Sequence, residues 1–296
     1  MEYRGKILLF GEHIVVQGAQ ALAQPLLAFQ GHWAFGRPED FPTHSLHDWL
    51  NYLSGLQSAA ALDVRLDLDR FTRDLNKGLY FESNIPLGYG AGSSGALCAA
   101  LYDTYALNPP DKTDVRLFPG IRADLGKIES YFHGASSGAD PLVSYLDQPL
   151  LFDRGQAIRP VSLPVPDARY TLFLLDTGYA RKTGPLVQRF QAKMREPHFH
   201  DYVVAALIPA TEDAIQCYVQ GSWEALFEVW ALISHFQYRF MQEWILPTWH
   251  QAWLDSLAGS QHRLKICGAG GGGFILGITR DWAFTRATFG EQAIAL

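Results

Sequence analysis

Pro86-Leu-Gly-Tyr-Gly-Ala-Gly-Ser-Ser-Gly-Ala96 runs directly into Leu97-Cys-Ala-Ala-Leu-Tyr102. The second stretch is rich in Ala and Leu and free of breakers. It predicts a helix over residues 94–107, ended by Pro109-Pro110. The first stretch carries glycine at alternate positions, and glycine permits backbone angles that other residues resist. The junction is therefore a glycine-rich loop feeding a helix N-terminus. There, several backbone N–H groups and the positive end of the helix dipole point at one spot. Such a spot suits an anion, most often a phosphate, although a tight turn between packed elements leaves a similar trace. Two common phosphate fingerprints do not fit. No Gly-Lys-Ser/Thr follows the loop. The preceding Glu82-Ser-Asn-Ile-Pro86 reads as a strand running out into a loop, not as the start of a dinucleotide-binding unit.

Three further stretches bear on the loop. Gly5-Lys-Ile-Leu-Leu-Phe-Gly-Glu-His13 puts a cation at the head of a strand and an acid–imidazole pair at its end. Taken alone it also reads as a surface Lys followed by a turn, and His13 as a structural histidine. Gly268-Ala-Gly-Gly-Gly-Gly273 places five glycines in six positions between two strands, where a hairpin needs one or two. Fixing so many glycines is entropically costly. Close approach of the backbone to another loop or to a phosphate is a sufficient reason for them. Glu129 falls near the end of a predicted helix and Asp140 in the small-residue loop His133-Gly-Ala-Ser-Ser-Gly-Ala-Asp140. An Asp in such a loop commonly serves as a turn or cap residue. Two carboxylates and a serine hydroxyl also make a set suited to Mg²⁺, which takes oxygen ligands and keeps waters.

With 296 residues the chain has room for two domains. Hydrophobic content of 48% and charged content of 18% place it among globular proteins. The net charge of −6 without a basic block argues against nucleic acid and anionic membrane as partners. The three cysteines, Cys98, Cys217 and Cys267, show no Cys-x-x-Cys spacing and read as buried small hydrophobes, not as a disulfide or zinc framework. Ile7-Leu-Leu-Phe10 is too short for a signal peptide, and no run nears the ~20 apolar residues of a membrane span. The expectation is a soluble, cytoplasmic protein.

The remaining pattern predicts strands over residues 3–10, Ala21–Ala28, Gly31–Phe35, Val64–Leu68 and Leu79–Ser83, with Ile14–Val16 extended and Arg37–Pro42 a loop. A helix is expected over Thr43–Ala61, capped by Thr43 or Ser45, and another over residues 113–132 with a break at Pro119-Gly120. Leu142–Tyr145 and Pro149–Phe152 read as a turn back into strands. Pro160–Pro166 reads as a linker, dividing the chain into domains at 1–160 and 167–296. Beyond it come a strand over Tyr170–Asp176 and helices over Pro185–Lys193, Asp201–Val219 and Ser222–Ile245. Strands Leu264–Cys267 and Phe274–Ile278 then flank the five glycines.

Gly5–Gly18, Pro86–Ala96 and Lys265–Gly273, in this order, resemble the three signature motifs of the GHMP small-molecule kinases, most closely the mevalonate kinase branch. His133–Asp140 looks like that branch's His-Gly-x-x-Ser-Gly-x-Asp loop, and Asp176-Thr-Gly-Tyr-Ala-Arg-Lys-Thr183 like its Thr-Gly…Arg-x-Thr segment. The resemblance implies an α+β, two-domain fold: a ribosomal-S5-domain-2-like N-terminal domain and a ferredoxin-like C-terminal domain, with the active site in the cleft between them. It implies phosphorylation of a hydroxyl on a small metabolite by ATP with Mg²⁺, mevalonate first, and leaves room for a homodimer. Gly88, Gly90, Ala91, Gly92, Ser93 and Ser94 would wrap the triphosphate, and Ser94 and Glu129 would ligate Mg²⁺. Asp140 would take the proton of the attacking hydroxyl and Lys6 would stabilise the alkoxide. Glu12, His13 and Thr183 would face the acceptor, and Gly268–Gly273 would brace the phosphate loop. Arg4, Pro141 and Tyr145-Leu-Asp147 depart from the family pattern at positions flanking the acceptor. A sugar or another hydroxy acid as acceptor, and a non-catalytic nucleotide-binding regulator, are the alternatives.

Overall fold

The computed structural model describes residues 1–36, 46–154, 157–165, 167–181 and 183–296. The expected Arg37–Pro42 loop, the Thr43 and Ser45 caps and the Pro166 end of the linker lie outside them. In chain order the elements are β1 (Tyr3–Phe10), β2 (Ala21–Phe35), α1 (Leu46–Ser58), β3 (Arg65–Leu66), α2 (Leu68–Asn76) and β4 (Leu79–Ser83). They continue with α3 (Ser93–Tyr105), β5 (Ala106–Leu107), α4 (Phe118–His133), α5 (Ala139–Leu146), β6 (Leu150–Phe152), β7 (Ile158–Pro160) and β8 (Thr171–Asp176). The last are α6 (Thr183–Lys193), α7 (Pro197–Tyr202), α8 (Ile208–Gln220), α9 (Trp223–Phe240), α10 (His250–Ala258), β9 (His262–Ile266), β10 (Phe274–Thr279), α11 (Trp282–Phe289) and β11 (Ala293–Ala295).

These elements form two compact units that interleave along the sequence. One comprises residues 1–6, 24–86 and 91–148; the other comprises 7–23, 87–90 and 149–296. Each combines helices with antiparallel strands. In the first unit Gly31–Phe35 of β2 pairs with β4. Helix α3 is buried on nearly every side, and its composition explains how. Ala96, Ala99 and Ala100 let neighbours approach, and a Cβ on Gly95 would stand 3.0 Å from the Asp140 carbonyl carbon in α5. A helix apolar all round belongs in a core. In the second unit β8, β9, β10 and β11 make a sheet in the order β11-β8-β10-β9, with antiparallel neighbours throughout. Helix α9 covers it with a stripe of Trp223, Leu226, Phe227, Trp230 and Ile233 at helical spacing.

Several local expectations are corrected. Ile14–Val16 is not extended; Val15–Gln17 is a 3₁₀ turn that ends at Gly18 with φ 81°. The strands expected at 21–28 and 31–35 are one strand. Of Val64–Leu68 only two residues are strand, because the Asp67 side chain accepts from the Arg70 N–H and starts α2. Pro119 does not break α4. It sits in the first turn, where its missing N–H has no intrahelical acceptor to lose. Pro141 is likewise in the first turn of α5, so Leu142–Tyr145 is helix and not a return to strand. Helix α3 stops at Tyr105, and Ala106–Leu107 pairs with β3. A π turn at Val203–Leu207 interrupts the helix expected over 201–219, just before Pro209, which cannot donate to the helical ladder. Helix α9 ends at Phe240, short of the expected Ile245. Cys98 and Cys267 are buried and Cys217 only partly so. Among the described residues no helix is long and apolar enough to cross a membrane.

Candidate active site

In the first unit β1 delivers Lys6 and two glycine-capped helices deliver the rest. The Lys6 N–H donates to the Ala91 carbonyl at 2.8 Å, which ties the strand to the end of the glycine loop. Gly92 caps α3 in the left-handed region, φ 80°, with no side chain closing the first turn. Gly138 caps α5 in the same way at φ 71°. A Cβ on Gly138 would lie 2.0 Å from the Arg122 carbonyl oxygen, so only glycine fits between α4 and α5 there. Asp140 therefore sits in the first turn of a helix, not in the expected loop, and the helix dipole favours its charge.

The side chains meet in one cluster. Lys6 Nζ is 2.8 Å from Asp140 Oδ2, with Lys6 buried and Asp140 partly open. The Ser94 hydroxyl donates to Glu129 Oε1 at 2.8 Å and lies 2.9 Å from His133 Nε2. The Ser136 hydroxyl donates to the other Glu129 oxygen. Glu129 is 3% exposed. Burial pushes its carboxyl up to about 7, and the nearby Asp140 charge adds to the rise, while hydrogen bonds from Ser136 and Ser94 and the Lys6 charge pull it down. The expected Lys6, Ser94, Glu129 and Asp140 are thus together. His133 and Ser136 complete the cluster, although the sequence assigned them no role; both lie within the loop quoted for its small residues. Among the described residues no three or more His, Cys, Asp or Glu gather as a metal site. A hydroxyl and a carboxylate that converge on one point suit Mg²⁺, a hard ion that fills its remaining positions with water and phosphate oxygens.

In the second unit Gly88 and Gly90 have φ 75° and 73°. The Arg181 N–H donates to the Gly88 carbonyl at 2.9 Å. Its guanidinium donates to the Gly270 carbonyl at 2.8 Å, and a Cβ on Gly90 would stand 2.2 Å from Arg181 Nη2. Gly273 presses on Tyr89, where a Cβ would meet the carbonyl oxygen at 2.5 Å. Thr177 Oγ1 donates to the Gly273 carbonyl at 2.7 Å. The five-glycine hairpin thus lies against residues 88–90 and 177–181. Glu12 is buried and paired with the buried Lys265, which also donates to the Ile266 carbonyl at 2.9 Å. His13 has φ 65° and stacks on Phe190, ring centroids 4.8 Å apart. Burial pushes its imidazole down to about 4, and the Arg181 and Lys265 charges act the same way, so it is neutral at physiological pH. Thr183 opens α6, and its side chain lies outside the described part of the structure.

The family described as GHMP kinases N terminal domain matches residues 56–148. A mevalonate kinase of Archaeoglobus fulgidus is 30% identical over 278 residues, covering 93% of this chain and 90% of that relative. Among solved structures, L. major mevalonate kinase in complex with R-mevalonate superposes with a TM-score of 0.65 at 18% identity, over 98% of this chain and 90% of that one. Streptococcus pneumoniae phosphomevalonate kinase gives 0.64 at 16% identity, over 100% and 97%. At such identities the structural likeness concerns the fold.

Proposed function

The chain belongs to the GHMP kinases and is a small-molecule kinase, and on that premise we propose that it transfers the γ-phosphate of ATP to the hydroxyl of mevalonate. The observation that carries the reading is the Lys6–Asp140 contact of 2.8 Å, a base and a cation held at one point beside the Ser94–Glu129 pair. The acceptor is supported by the relative named mevalonate kinase that aligns over most of the chain. Phosphoryl transfer asks a protein mainly for positioning and charge neutralisation. In this reading the Asp140 carboxylate takes the hydroxyl proton. The acceptor oxygen forms its bond to the γ-phosphorus as the bond from that phosphorus to the ADP oxygen breaks. Lys6 counters the charge on the attacking oxygen.

Gly88, Gly90, Ala91, Gly92, Ser93 and Ser94 receive the triphosphate through backbone N–H groups at the start of α3. Ser94 and Glu129 would hold Mg²⁺, which would supply neutralisation of phosphate charge. Glu12, already paired with Lys265, and His13, neutral at physiological pH, act on the acceptor through position and hydrogen bonding, not as free charges. Thr183 contributes to the same end. The test is an ADP-release assay with Mg-ATP and, in turn, mevalonate, phosphomevalonate, homoserine and common sugars. Saturable turnover on mevalonate is expected. Turnover on a sugar with none on mevalonate would reassign the acceptor, and no turnover on any hydroxylated metabolite would count against the reading as a whole.

A further inference from the structure

Within the second unit, α10, β9 and α11 enclose a pocket of about 240 Å³ that plays no part in the reaction above. Ala252, Phe284 and Phe289 give it apolar walls, Thr288 and Asp255 stand at its edge, and His262 forms its floor. His262 is 6% exposed, and among the described residues neither ring nitrogen has a hydrogen-bond partner. Its neighbours are aromatic: Phe289, Phe284 and Phe173 lie at 5.3, 6.1 and 6.4 Å between centroids. Buried polar groups are nearly always satisfied, and an exception calls for an explanation such as a missing partner.

We propose that this pocket binds an uncharged small molecule with one aromatic-sized ring and a hydroxyl, and that the hydroxyl completes His262. The size follows from the volume, since a dry cavity of roughly 150 Å³ already holds benzene, and this pocket holds a substituted ring. The lack of charge follows from the lining. Asp255 is its only charged side chain, which disfavours an anion, and the guanidinium of the adjacent Arg263 is spent on the Ser256 and Gly259 carbonyls at 2.6 and 2.7 Å. Burial pushes the His262 imidazole down to about 4. At neutral pH it therefore offers one N–H and one lone pair, and a hydroxyl can meet either. Both ring nitrogens are buried, so binding requires the exposed Phe284 ring, 6.1 Å from the imidazole, to turn aside. The site is separate from the Lys6–Asp140 cluster, so its failure and the failure of the kinase reading are distinguishable.

The experiment is a titration of the full chain, labelled with ¹⁵N in its histidine rings, with phenol, toluene and benzoate in turn. Phenol should shift the His262 ring signals saturably with a Kd on the order of 1 mM, as expected for a ligand of so few atoms. Toluene should bind roughly fivefold more weakly for want of one hydrogen bond, and benzoate should not bind. His262→Phe should erase the preference for phenol over toluene. Thr288→Trp, at an exposed edge position where folding is not in question, should block both probes. Kinase turnover should be unchanged in both variants. The proposal is overturned if no probe shifts His262 up to about 10 mM, if phenol and toluene bind equally, if benzoate binds best, or if Thr288→Trp leaves the binding intact.

Discussion

Glu129→Gln should make the metal-free protein more stable at pH 8 while removing its turnover. Glu129 is 3% exposed, and its carboxyl titrates at about 7 in the native protein against an ordinary 4.5. A raised native pKa means that the folded protein holds a proton that the unfolded chain has already released. That contribution to stability is fully present below the ordinary value and is lost as pH rises through about 7. At roughly 1.4 kcal/mol per pKa unit, the loss amounts to about 3 kcal/mol by pH 8. Glutamine has nothing to titrate and still offers oxygen and nitrogen to Ser94 and Ser136. The difference in unfolding free energy between variant and wild type should therefore move about 2.5 kcal/mol in favour of the variant between pH 5 and pH 8. Urea unfolding at pH 5, 6, 7 and 8 in the presence of a chelator measures it, with the slope m checked for constancy. Other titrating groups are common to both proteins and cancel in the difference. Because the Asp140 charge feeds the rise, Asp140→Asn should shrink the effect. A difference that stays flat with pH, or a variant that loses ground at pH 8, would refute the argument that this carboxylate is held at the expense of stability.

Asp140→Asn should leave ATP affinity intact and cut turnover by roughly 10²–10⁴-fold, and Lys6→Met should do the same; steady-state kinetics with calorimetric ATP binding checks both. Gly92→Val should lose turnover and strain the fold together, since residue 92 has φ 80° and its Cβ would lie 2.8 Å from Lys6 Cγ; a variant with normal kinetics would show that the loop is only a turn. Ser94→Ala should raise the Mg²⁺ concentration needed for half-maximal rate, with the loss partly recovered at high Mg²⁺. His13 and His262 titrate at about 4 in the native protein against 6.5. Here the unfolded chain binds more protons, so stability is full above 6.5 and falls as pH drops towards 4; His262→Phe should lose about 2 kcal/mol less than wild type between pH 8 and pH 5, read by urea unfolding.

What the sequence made legible was whatever depends on neighbours in the chain. The apolar run at the end of β1, the Ala-rich α3, the aromatic stripe of α9 and the strands around the five glycines all carry their signal within a dozen residues. Helix α2 escaped because Phe71 and Leu75 are its only buried residues. Leu68, Phe71 and Leu75 do fall at helical spacing, but Leu68 reads as the end of the Val64–Leu68 strand, and the remaining local clue is Asp67 as a cap. Helix α5 escaped because its short apolar run, Leu142–Tyr145, read as a turn back into strand, whereas Pro141 in its first turn is compatible with a helix. The cluster of Lys6, Ser94, Glu129 and Asp140 came from motif likeness, not periodicity. Ser136 and His133 were in plain view, but Ser136 finds its partner in Glu129 of α4 and His133 finds its partner in Ser94 of α3, neither adjacent in sequence. The Glu12–Lys265 pair joins residues 253 apart in sequence, a separation at which no pattern rule operates.

The glycines around Lys6 show a division of labour that the phosphate reading alone does not explain. Gly5 and Gly92 are both excluded from carrying a side chain by the contact between β1 and the loop. A Cβ on Gly5 would meet the Ala91 carbonyl oxygen at 2.5 Å, and one on Gly92 would meet Lys6 Cγ at 2.8 Å. Between them runs the hydrogen bond from the Lys6 N–H to Ala91. The two motifs thus lock face to face through the absence of Cβ atoms on both. This sets the Lys6 stem against the start of α3 and leaves its ammonium directed at Asp140. Arg4, one residue before this lock, pairs with Asp147 at 2.9 Å, so two departures from the family pattern are one feature. That pair is exposed and contributes little to stability. Arg4 lies in β1, the same strand that presents Lys6. The contacts of Gly5 and Gly92 therefore fix the stem of Lys6 as well as the start of α3.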